Sequence, residues 1–375
     1  MGESLRVLLL SKACIVGIYQ RKLEEIARLG VELLALVPPS WKDERGDTPL
    51  EAAYTQGYQL KVTPMRFNGS FHLHYYPDFP RELRQFRPHI VHIDEEPYNL
   101  ATWHALYHAR RAGAKTLFFS WQNLPRRYPP PFHWGEKWVL SHVDYALAGT
   151  ESAAQVWRAK GYTGPLSVIP QFGADPDLFA PPLHLPAPRP FTIGYFGRLV
   201  EEKGLRLLLE AVERLENRDW QVRFVVSGPQ RAHLEALAER LGISQRVEFC
   251  PYVPSTEMPA QYHTLDAFVL PSLTRPHWKE QFGRVLIEAM ARGVPVVGSS
   301  SGAIPDVIGS AGLIFPEGDV LTLTRHLHDL QTDPDWRVWL GQQGRARVLD
   351  HFTHARVAQA TVDVYEALAL ESVYS

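Results

Sequence analysis

The chain has 375 residues, of which 45% are hydrophobic and 21% charged, and its formal net charge is −2. This length exceeds one ordinary core and favours two domains, while the near-neutral charge gives no electrostatic case for binding nucleic acid. The only two cysteines, Cys14 and Cys250, lie in or beside apolar segments, so we expect buried thiols in a reducing compartment. No apolar run approaches the ~18 residues needed to cross a bilayer, so we expect a cytoplasmic protein.

The first half of the chain alternates between strand and helix patterns. The apolar run LRVLLL predicts a strand, Gly17 follows it, and the amphipathic segment from Ile18 to Leu29 predicts a helix. Further strands are predicted in VELLAL, QLKVTP, HIVHID, KTLFFS and VDYALAG, with helical stretches between several of them. This alternation favours a parallel, doubly wound sheet, in which ligands bind beyond the carboxyl ends of the strands.

Three of these strand ends carry residues suited to ligand binding, and the third is the end of KTLFFS, which Gln122 and Asn123 follow. Gly17 could let the backbone approach a ligand closely. The acids Asp94, Glu95 and Glu96 could accept hydrogen bonds from ligand hydroxyls, although capping of a following helix explains them equally well.

Other features of the first half suggest a metal or a membrane, and each has a simpler explanation. His104 and His108 stand one helical turn apart, but no HExxH or CxxC pattern accompanies them, so we expect no metal site. The aromatic stretch from Phe132 to Leu140 follows Arg126 and Arg127 and is compatible with peripheral membrane contact. We prefer a packed surface helix for this stretch.

A proline-rich stretch separates the two halves. Seven prolines occur from Pro170 to Pro190, and because proline fixes φ and lacks an amide hydrogen, this segment is neither a regular helix nor a central strand. We therefore expect a linker at residues 173–190, between an N-terminal domain of residues 1–172 and a C-terminal domain of residues 191–352. Asp175 and Asp177 in this stretch are explained by turn chemistry rather than by metal binding.

The second half repeats the alternating pattern. Strands are predicted in FTIGYFG, VRFVVSG, RVEFC and LDAFVLPS, with helices between them, which predicts a second doubly wound domain. The loop after the first of these strands carries Arg198 and Lys203, and two cations in a glycine-framed loop suit a diphosphate. Salt bridges to the neighbouring Glu201 and Glu202 are the competing explanation.

The stretch WKEQFGRVLIEAMARGVPVVGSSS contains the strongest chemical signal. It predicts a loop with Glu280, a helix that begins after Gly283 and carries Glu288, and then a buried strand. Free amides at the start of a helix favour an anion, whereas the two carboxylates suit hydroxyl groups. A sugar nucleotide combines a central diphosphate with hydroxyls at both ends.

Several motifs together resemble the retaining glycosyltransferases of family 4. The E-x7-E pattern of Glu280 and Glu288 is joined, in the family's order, by IPQFGADPDLF, YFGRLVEEKG, FVVSGP and VEFCPYV. The resemblance covers the linker and the C-terminal half specifically and the N-terminal half more weakly. It implies the GT-B architecture, in which two Rossmann-like domains face a cleft. It also implies that the final helix, predicted at residues 355–370, packs back on the N-terminal domain.

The resemblance assigns roles to individual residues. Glu280, Arg198 and Lys203 would act in catalysis, and the acceptor or its sugar would meet Glu95, Gln122 and Asn123, the last two standing near the place of a family histidine. The donor would be bound by the following residues: Gly17, Gly228, Tyr252, Val253, Phe282, Gly283, Arg284, Val285 and Glu288.

The implied substrates are a sugar nucleotide, with UDP- or GDP-linked donors expected, and a hydroxyl acceptor, without a metal or other cofactor. A sugar-nucleotide epimerase of the same fold and a non-catalytic sugar-nucleotide-binding protein are the alternatives. Peripheral contact with the inner face of the membrane is compatible with the aromatic stretch from Phe132 to Leu140.

Overall fold

The computed structural model describes residues 4–43, 46–181, 189–225, 228–251, 253 and 257–371. The chain divides into two compact units, which we call unit 1 (Met1–Gly173 and His354–Ser375) and unit 2 (Ala174–Thr353). Each unit is built around its own parallel sheet.

Among its described residues, unit 1 contains nine strands and five helices before the chain passes to unit 2. The strands are β1 (Arg6–Leu10), β2 (Glu32–Val37), β3 (Ser40–Asp43), β4 (Gly46–Pro49), β5 (Gln59–Val62), β6 (Ile90–Ile93), β7 (Lys115–Ser120), β8 (Tyr145–Ala148) and β9 (Leu166–Val168). The helices are α1 (Arg21–Arg28), α2 (Phe79–Phe86), α3 (Leu100–Arg111), α4 (Phe132–His142) and α5 (Glu151–Ala159). Seven of the strands form a parallel sheet in the order β5-β2-β1-β6-β7-β8-β9, and β3 and β4 form a separate antiparallel hairpin.

The sheet of unit 1 is covered on both faces, as its apolar strands predict. Along β1, Val7 and Leu9 belong to one buried cluster, whereas Leu8 and Leu10 belong to the other. Successive side chains of a strand point to opposite faces, so a strand with both faces buried is apolar throughout.

The described part of unit 2 contains six strands and seven helices. The strands are β10 (Phe191–Phe196), β11 (Trp220–Val225), β12 (Val247–Cys250), β13 (Ala267–Leu270), β14 (Val296–Ser299) and β15 (Leu313–Phe315). The helices are α6 (Leu205–Glu213), α7 (Arg231–Arg240), α8 (Met258–Tyr262), α9 (Arg284–Ala291), α10 (Ile304–Ile308), α11 (Val320–Thr332) and α12 (Pro334–His351). The parallel sheet has the order β12-β11-β10-β13-β14-β15. Two doubly wound α/β domains, as expected from the sequence, are therefore present.

The last helix, α13 (His354–Glu371), belongs to unit 1 rather than to unit 2. Val357, Val362 and Tyr365 join the same buried cluster as Leu23 and Ile26 of α1. The Tyr365 hydroxyl also lies 2.6 Å from Nδ1 of His92 in β6. The chain thus leaves unit 1 once and returns to complete its core.

Two sequence expectations need correction. The predicted linker begins too early, because residues 174–181 are part of unit 2: Ala174 N donates to Phe352 O at 2.7 Å, and the buried ring of Phe179 packs 5.7 Å from that of Tyr262. Residues 182–188 of that linker lie outside the described residues. The helix predicted from Ile18 begins later in the structure, at Arg21, because Gly17–Gln20 forms a 3-10 turn.

Candidate functional site

The carboxyl ends of β10 and β13 meet at the centre of the sheet of unit 2. Strand β10 lies between β11 and β13, so the strand order reverses at this point. In open parallel sheets this reversal leaves a crevice at the carboxyl ends of the strands, where ligands bind. The predicted residues Arg198, Lys203 and Glu280 follow these two strands.

The loop after β10 is docked against the end of β13 by a glycine. Gly204 has φ +65°, and a β-carbon there would lie 2.1 Å from the carbonyl oxygen of Pro271. Leu273 N also donates to Glu202 O at 2.7 Å. Because no larger residue fits at Gly204, these contacts fix the position of the adjacent Lys203.

Glu280 is nearly buried, with 7% of its surface exposed, and is held by two donors on one oxygen. Lys203 Nζ lies 2.6 Å and Ser272 Oγ lies 2.8 Å from Glu280 Oε2. On the backbone side, Ala303 N donates to Glu280 O at 3.2 Å, and a β-carbon at Gly302 would lie 2.0 Å from that oxygen. The carboxylate is therefore fixed in one orientation by both its side chain and its backbone.

The cations of this site differ in their surroundings. Lys203 Nζ lies 4.8 Å from the ring centroid of Trp278, so the ammonium contacts a carboxylate and an aromatic face together. Arg198 is exposed, and its carbonyl accepts a 2.9 Å hydrogen bond from Tyr195. Burial raises the pKa of Tyr195 well above its usual range, and the nearby charge of Glu280 adds to this shift.

The helix that follows Glu280 begins as the sequence predicts. Gly283 precedes α9 in the left-handed conformation, with φ +78°, and as the N-cap residue it has no side chain to donate to or accept from the first turn. The amides of Arg284 and Val285 belong to the first turn, where backbone N–H groups have no partner within the helix. Phe282, just before it, is buried and packs 5.9 Å from the ring of Phe352.

Glu288, the second acid of the pattern, has both oxygens engaged. Arg284 Nε lies 3.0 Å from Oε1, and the buried Tyr262 hydroxyl donates to Oε2 at 2.8 Å. Only 6% of Glu288 is exposed. Glu288 is therefore not an acid on a solvated helix face but is held in place by a buried network.

For the remaining residues predicted to bind the donor substrate, the structure gives less support. A β-carbon at Gly228 would lie 2.5 Å from Leu199 O, so close packing against that loop already requires glycine here. Val253 is half-buried, and Tyr252 lies outside the described residues. Ligand contacts by these three residues stay predictions.

The candidates in unit 1 are engaged by the chain itself. Gly17 N donates to Glu51 Oε2 at 3.1 Å, and a β-carbon there would lie 2.8 Å from that of Ala53, so packing explains this glycine. The Gln122 amide donates to Leu124 O at 2.9 Å and accepts from Lys160 Nζ at 3.2 Å. Asn123 is also buried.

Glu95 is the most enclosed of the predicted acceptor residues. Its Oε1 accepts from Tyr76 and from Lys12 N, each at 3.1 Å, and its Oε2 meets Lys12 Nζ and His74. Burial alone would raise the pKa of Glu95, but the charges and hydrogen bonds of Lys12 and His74 outweigh burial and lower it to about 2. The carboxylate is thus committed to contacts within unit 1.

Sequence reasoning missed the residues that hold the predicted ones in place. Ser272, Tyr262 and Gly302 contact Glu280 or Glu288 but lie outside the motif or at its edge. A buried serine or tyrosine carries no sequence signal, whereas Gly302 in a run of small residues is a weak one.

Two kinds of feature are absent from the described ranges. No group of three or more His, Cys, Asp or Glu side chains there is arranged to hold a metal ion. Likewise, none of the helices seen in those ranges is long and apolar enough to span a bilayer.

With this geometry in place, comparison with known proteins defines the class. Residues 18–171 match the glycosyl transferase 4-like domain, and residues 183–347 match the glycosyl transferases group 1. The chain belongs to the group 1 glycosyltransferases and has their GT-B fold, so the family resemblance is confirmed.

The relatives of this chain include glycosyltransferases whose names specify different substrates. The chain is 33% identical over 266 residues to the GDP-mannose-dependent alpha-(1-6)-phosphatidylinositol monomannoside mannosyltransferase of Mycolicibacterium smegmatis, covering 65% of this chain and 68% of that protein. It is 30% identical over 264 residues to the D-inositol 3-phosphate glycosyltransferase of Streptomyces bingchenggensis, covering 62% and 54%. This second match therefore spans about half of the relative's length.

Solved structures support the fold across the chain. A glycosyltransferase from Rickettsia africae matches with a TM-score of 0.75 and 17% identity, covering 98% of this chain and 99% of that one. Anabaena HepE in complex with UDP-glucose matches with a TM-score of 0.70 and 17% identity, covering 97% and 100%.

Proposed function

We propose that this protein is a retaining glycosyltransferase that moves a hexose from a nucleoside diphosphate sugar to a hydroxyl acceptor, without a metal ion. One observation carries the proposal. Glu280, nearly buried and bonded to Lys203, leads into the start of α9 after Gly283, and the equally enclosed Glu288 lies one to two turns along that helix. This arrangement offers cations and amides for a diphosphate and two fixed acids for hydroxyls.

The leaving group explains the cations. Sugar transfer places negative charge on the departing nucleoside diphosphate, and donors fixed in advance stabilise such charge most effectively. Arg198, Lys203 and the first-turn amides of α9 would supply these donors. An ammonium has three hydrogens, so Lys203 can bind a phosphate oxygen while it keeps its bond to Glu280.

The acids would hold the two ends of the donor. Glu280, fixed by Ser272 and Lys203, would orient the hydroxyls of the transferred sugar together with the backbone of Phe282 and Gly283. Glu288 would bind the ribose diol, with Arg284 and Tyr262 setting the direction of its carboxylate. Correct placement of the reacting groups is a large part of the catalytic effect in such a scheme.

Retention is proposed to follow front-face attack, as the family resemblance implies. The acceptor oxygen bonds to the anomeric carbon on the face from which the diphosphate departs, and the acceptor proton passes to a donor phosphate oxygen. No dedicated protein base is then required. The amides Gln122 and Asn123, which cannot titrate near neutral pH, are compatible with this route.

The relatives suggest the range of substrates. One relative's name specifies GDP-mannose, and a structural neighbour was solved with UDP-glucose. We propose a UDP- or GDP-linked hexose as donor and a glycan, lipid or small molecule as acceptor. The proposed location is the cytoplasm, with peripheral contact at the inner membrane face through the region of α4, where 65% of Trp134 is exposed.

The test begins with donor binding by the full chain. Thermal shift against UDP-, GDP- and ADP-linked hexoses should single out one donor, since a ligand that binds only the folded state raises its stability. Release of nucleoside diphosphate from that donor should depend on an added acceptor and persist in EDTA. NMR of the product should show the donor's anomeric configuration.

The same experiment separates the alternatives. An epimerase would convert the donor with no acceptor present, and a binding protein would be stabilised without releasing nucleotide. Failure of every sugar nucleotide to raise the melting temperature would contradict the proposed function.

A further inference from the structure

Three consecutive acids follow β6, and their surroundings differ. Asp94 accepts from Ser11 Oγ at 2.5 Å and Gln171 Nε2 at 2.8 Å and is buried, as is the ion-paired Glu95. Glu96 is half-buried and accepts from two neutral donors at the end of β7, Ser120 Oγ at 2.5 Å and Trp121 N at 2.9 Å. Among the described residues, no lysine or arginine forms an ion pair with it.

The Glu96 carboxylate is therefore held in one orientation but can still accept further hydrogen bonds. Each of its oxygens receives one hydrogen bond, and a carboxylate oxygen can accept two. The donors come from a neighbouring strand end, so they fix the direction of the carboxylate at the ligand-binding edge of the sheet.

Unpartnered polar groups lie beside this acid. Asn99, whose backbone N donates to Glu96 O at 3.0 Å, is fully buried, yet neither its Oδ1 nor its Nδ2 has a hydrogen-bond partner in the described part of the chain. Nδ1 of His72 is likewise without a partner there, and His72 O accepts from Leu100 N at 2.9 Å. A buried polar group left unpaired costs about 1–3 kcal/mol, so this pair points to a polar ligand or its bound water.

An aromatic wall borders the same groups. The ring of Phe71, 44% exposed, lies 6.1 Å from that of Tyr98, and Tyr98 lies 4.4 Å from Tyr128. His72 joins this wall, with its ring 5.5 Å from Tyr98. The Lys12 ammonium lies 5.1 Å from the ring centroid of Phe71. Rings of this kind offer flat apolar area at low conformational cost.

We propose that Glu96, Asn99 and Phe71 form a binding site in unit 1 for a ring-shaped polyol, and, resting on the proposed function, that this polyol is the sugar acceptor. The carboxylate accepts hydrogen bonds from vicinal hydroxyls. The Asn99 amide pairs with a further hydroxyl or its water, and the C–H face of the ring packs on Phe71. This assignment moves the acceptor contact from Glu95, whose oxygens are occupied, to the next residue.

The site has a defined pH dependence. Burial raises the pKa of Glu96 to about 7, against the lowering effect of its hydrogen bonds to Ser120 and Trp121. The charged and titratable groups that face it are Lys12 and Lys160, which favour the carboxylate, and Glu95, Tyr98 and Tyr128. Glu96 is therefore mainly ionised at pH 8 and mainly protonated at pH 6. Hydrogen bonds to an ionised acceptor are about twice as strong, so binding should be about five- to tenfold tighter at pH 8.

The test uses the full chain with myo-inositol and methyl α-D-glucopyranoside as probes, measured by ligand-observed NMR at pH 6 and pH 8. We expect at least one probe to bind, with the stated preference for pH 8. Glu96→Gln should abolish that preference and leave binding at the pH 6 level of the parent chain. Phe71→Ala should weaken binding about fivefold at both pH values. Glu82→Gln, at a buried acid of α2, is the matched control and should leave probe binding and its pH preference unchanged.

The outcomes separate this inference from the proposed function. Equal binding by the parent chain and Glu96→Gln at pH 8, or no binding of either probe while a sugar nucleotide still raises the melting temperature, would overturn the inference alone. Absence of sugar-nucleotide binding would instead overturn the proposed function. Circular dichroism of each variant checks folding, and Phe71→Ala, which changes an exposed side chain, keeps the test decisive if Glu96→Gln does not fold.

Discussion

Lys203 and Glu280, which lie 77 residues apart in the sequence, form an ion pair with 2.6 Å between Nζ and Oε2. The pair exists because Gly204 docks the loop after β10 on Pro271, at the end of β13. A cation for the diphosphate and an acid for the sugar are thus held together before any ligand arrives. Fixing both in advance lowers the cost of orienting them during the reaction.

The first prediction concerns Glu280. Glu280→Gln should lower turnover at least about 100-fold, because an amide keeps the shape of the carboxylate but loses the charge that orients the donor and balances Lys203. The measurement is acceptor-dependent release of nucleoside diphosphate. Glu201→Gln, in the same loop as Lys203, is the control and should retain activity. Equal turnover by Glu280→Gln and Glu201→Gln would show that Glu280 has no role in the mechanism.

The second prediction concerns the backbone behind Glu280. Gly302→Ala should destabilise the protein by more than about 2 kcal/mol and abolish transfer, because the new β-carbon would lie 2.0 Å from Glu280 O. Gly318→Ala is the matched control: its φ of +83° is also left-handed, but open space surrounds the new atom. It should cost only about 1 kcal/mol and spare activity. Urea unfolding and turnover measure both effects; similar losses in the two variants would show that strain, and not the clash, matters.

The third prediction concerns the network behind Glu288. Tyr262→Phe removes the donor to Glu288 Oε2 while preserving the ring in its buried position. The Kd for the sugar nucleotide should rise about three- to tenfold, corresponding to one hydrogen bond of about 1 kcal/mol, with kcat little changed. Tyr162→Phe removes a comparable buried bond to Pro165 O in unit 1 and should leave donor binding unchanged. Isothermal titration calorimetry measures the Kd of both variants for the sugar nucleotide. Equal values would exclude this role for Tyr262.

The fourth prediction concerns stability and pH. Because the folded pKa of Glu95 is about 2 and its usual value is 4.5, its contribution is present above about pH 4.5 and is lost as the pH falls toward 2. Glu95→Gln should therefore destabilise unit 1 by about 3 kcal/mol at pH 7, since it leaves Lys12 without its charged partner. The difference from the parent chain should shrink at pH 3. Urea unfolding at both pH values, with the exposed Glu32→Gln as control, measures it; a difference that stays constant with pH would contradict the charge-based explanation.

The sequence predicted the two parallel domains and the start of α9 because these depend on local patterns. Apolar strands, intervening amphipathic helices and a glycine before a helix are each visible over a few residues. The spacing of Glu280 and Glu288 likewise stands within one continuous motif. The two acids therefore could be identified without coordinates.

The supporting residues could not be found in this way because their roles arise from tertiary contacts. Nothing local marks Tyr262 as a partner of Glu288, 26 residues away, or Ser272 as a partner of Glu280. The same limit explains the choice of Glu95 over Glu96. Adjacent acids look alike in sequence, and only the coordinates show that Lys12 and His74 occupy the first while Glu96 keeps capacity for a ligand.

Helix α13 has a consequence for biosynthesis. The interior of unit 1 lacks Val357, Val362 and Tyr365 until the ribosome has made the segment His354–Glu371, whereas unit 2 is complete at Thr353. Most of unit 1 is thus translated first, but its core is completed last. Its exposed apolar face must be kept from contact with other chains while the remainder is synthesised.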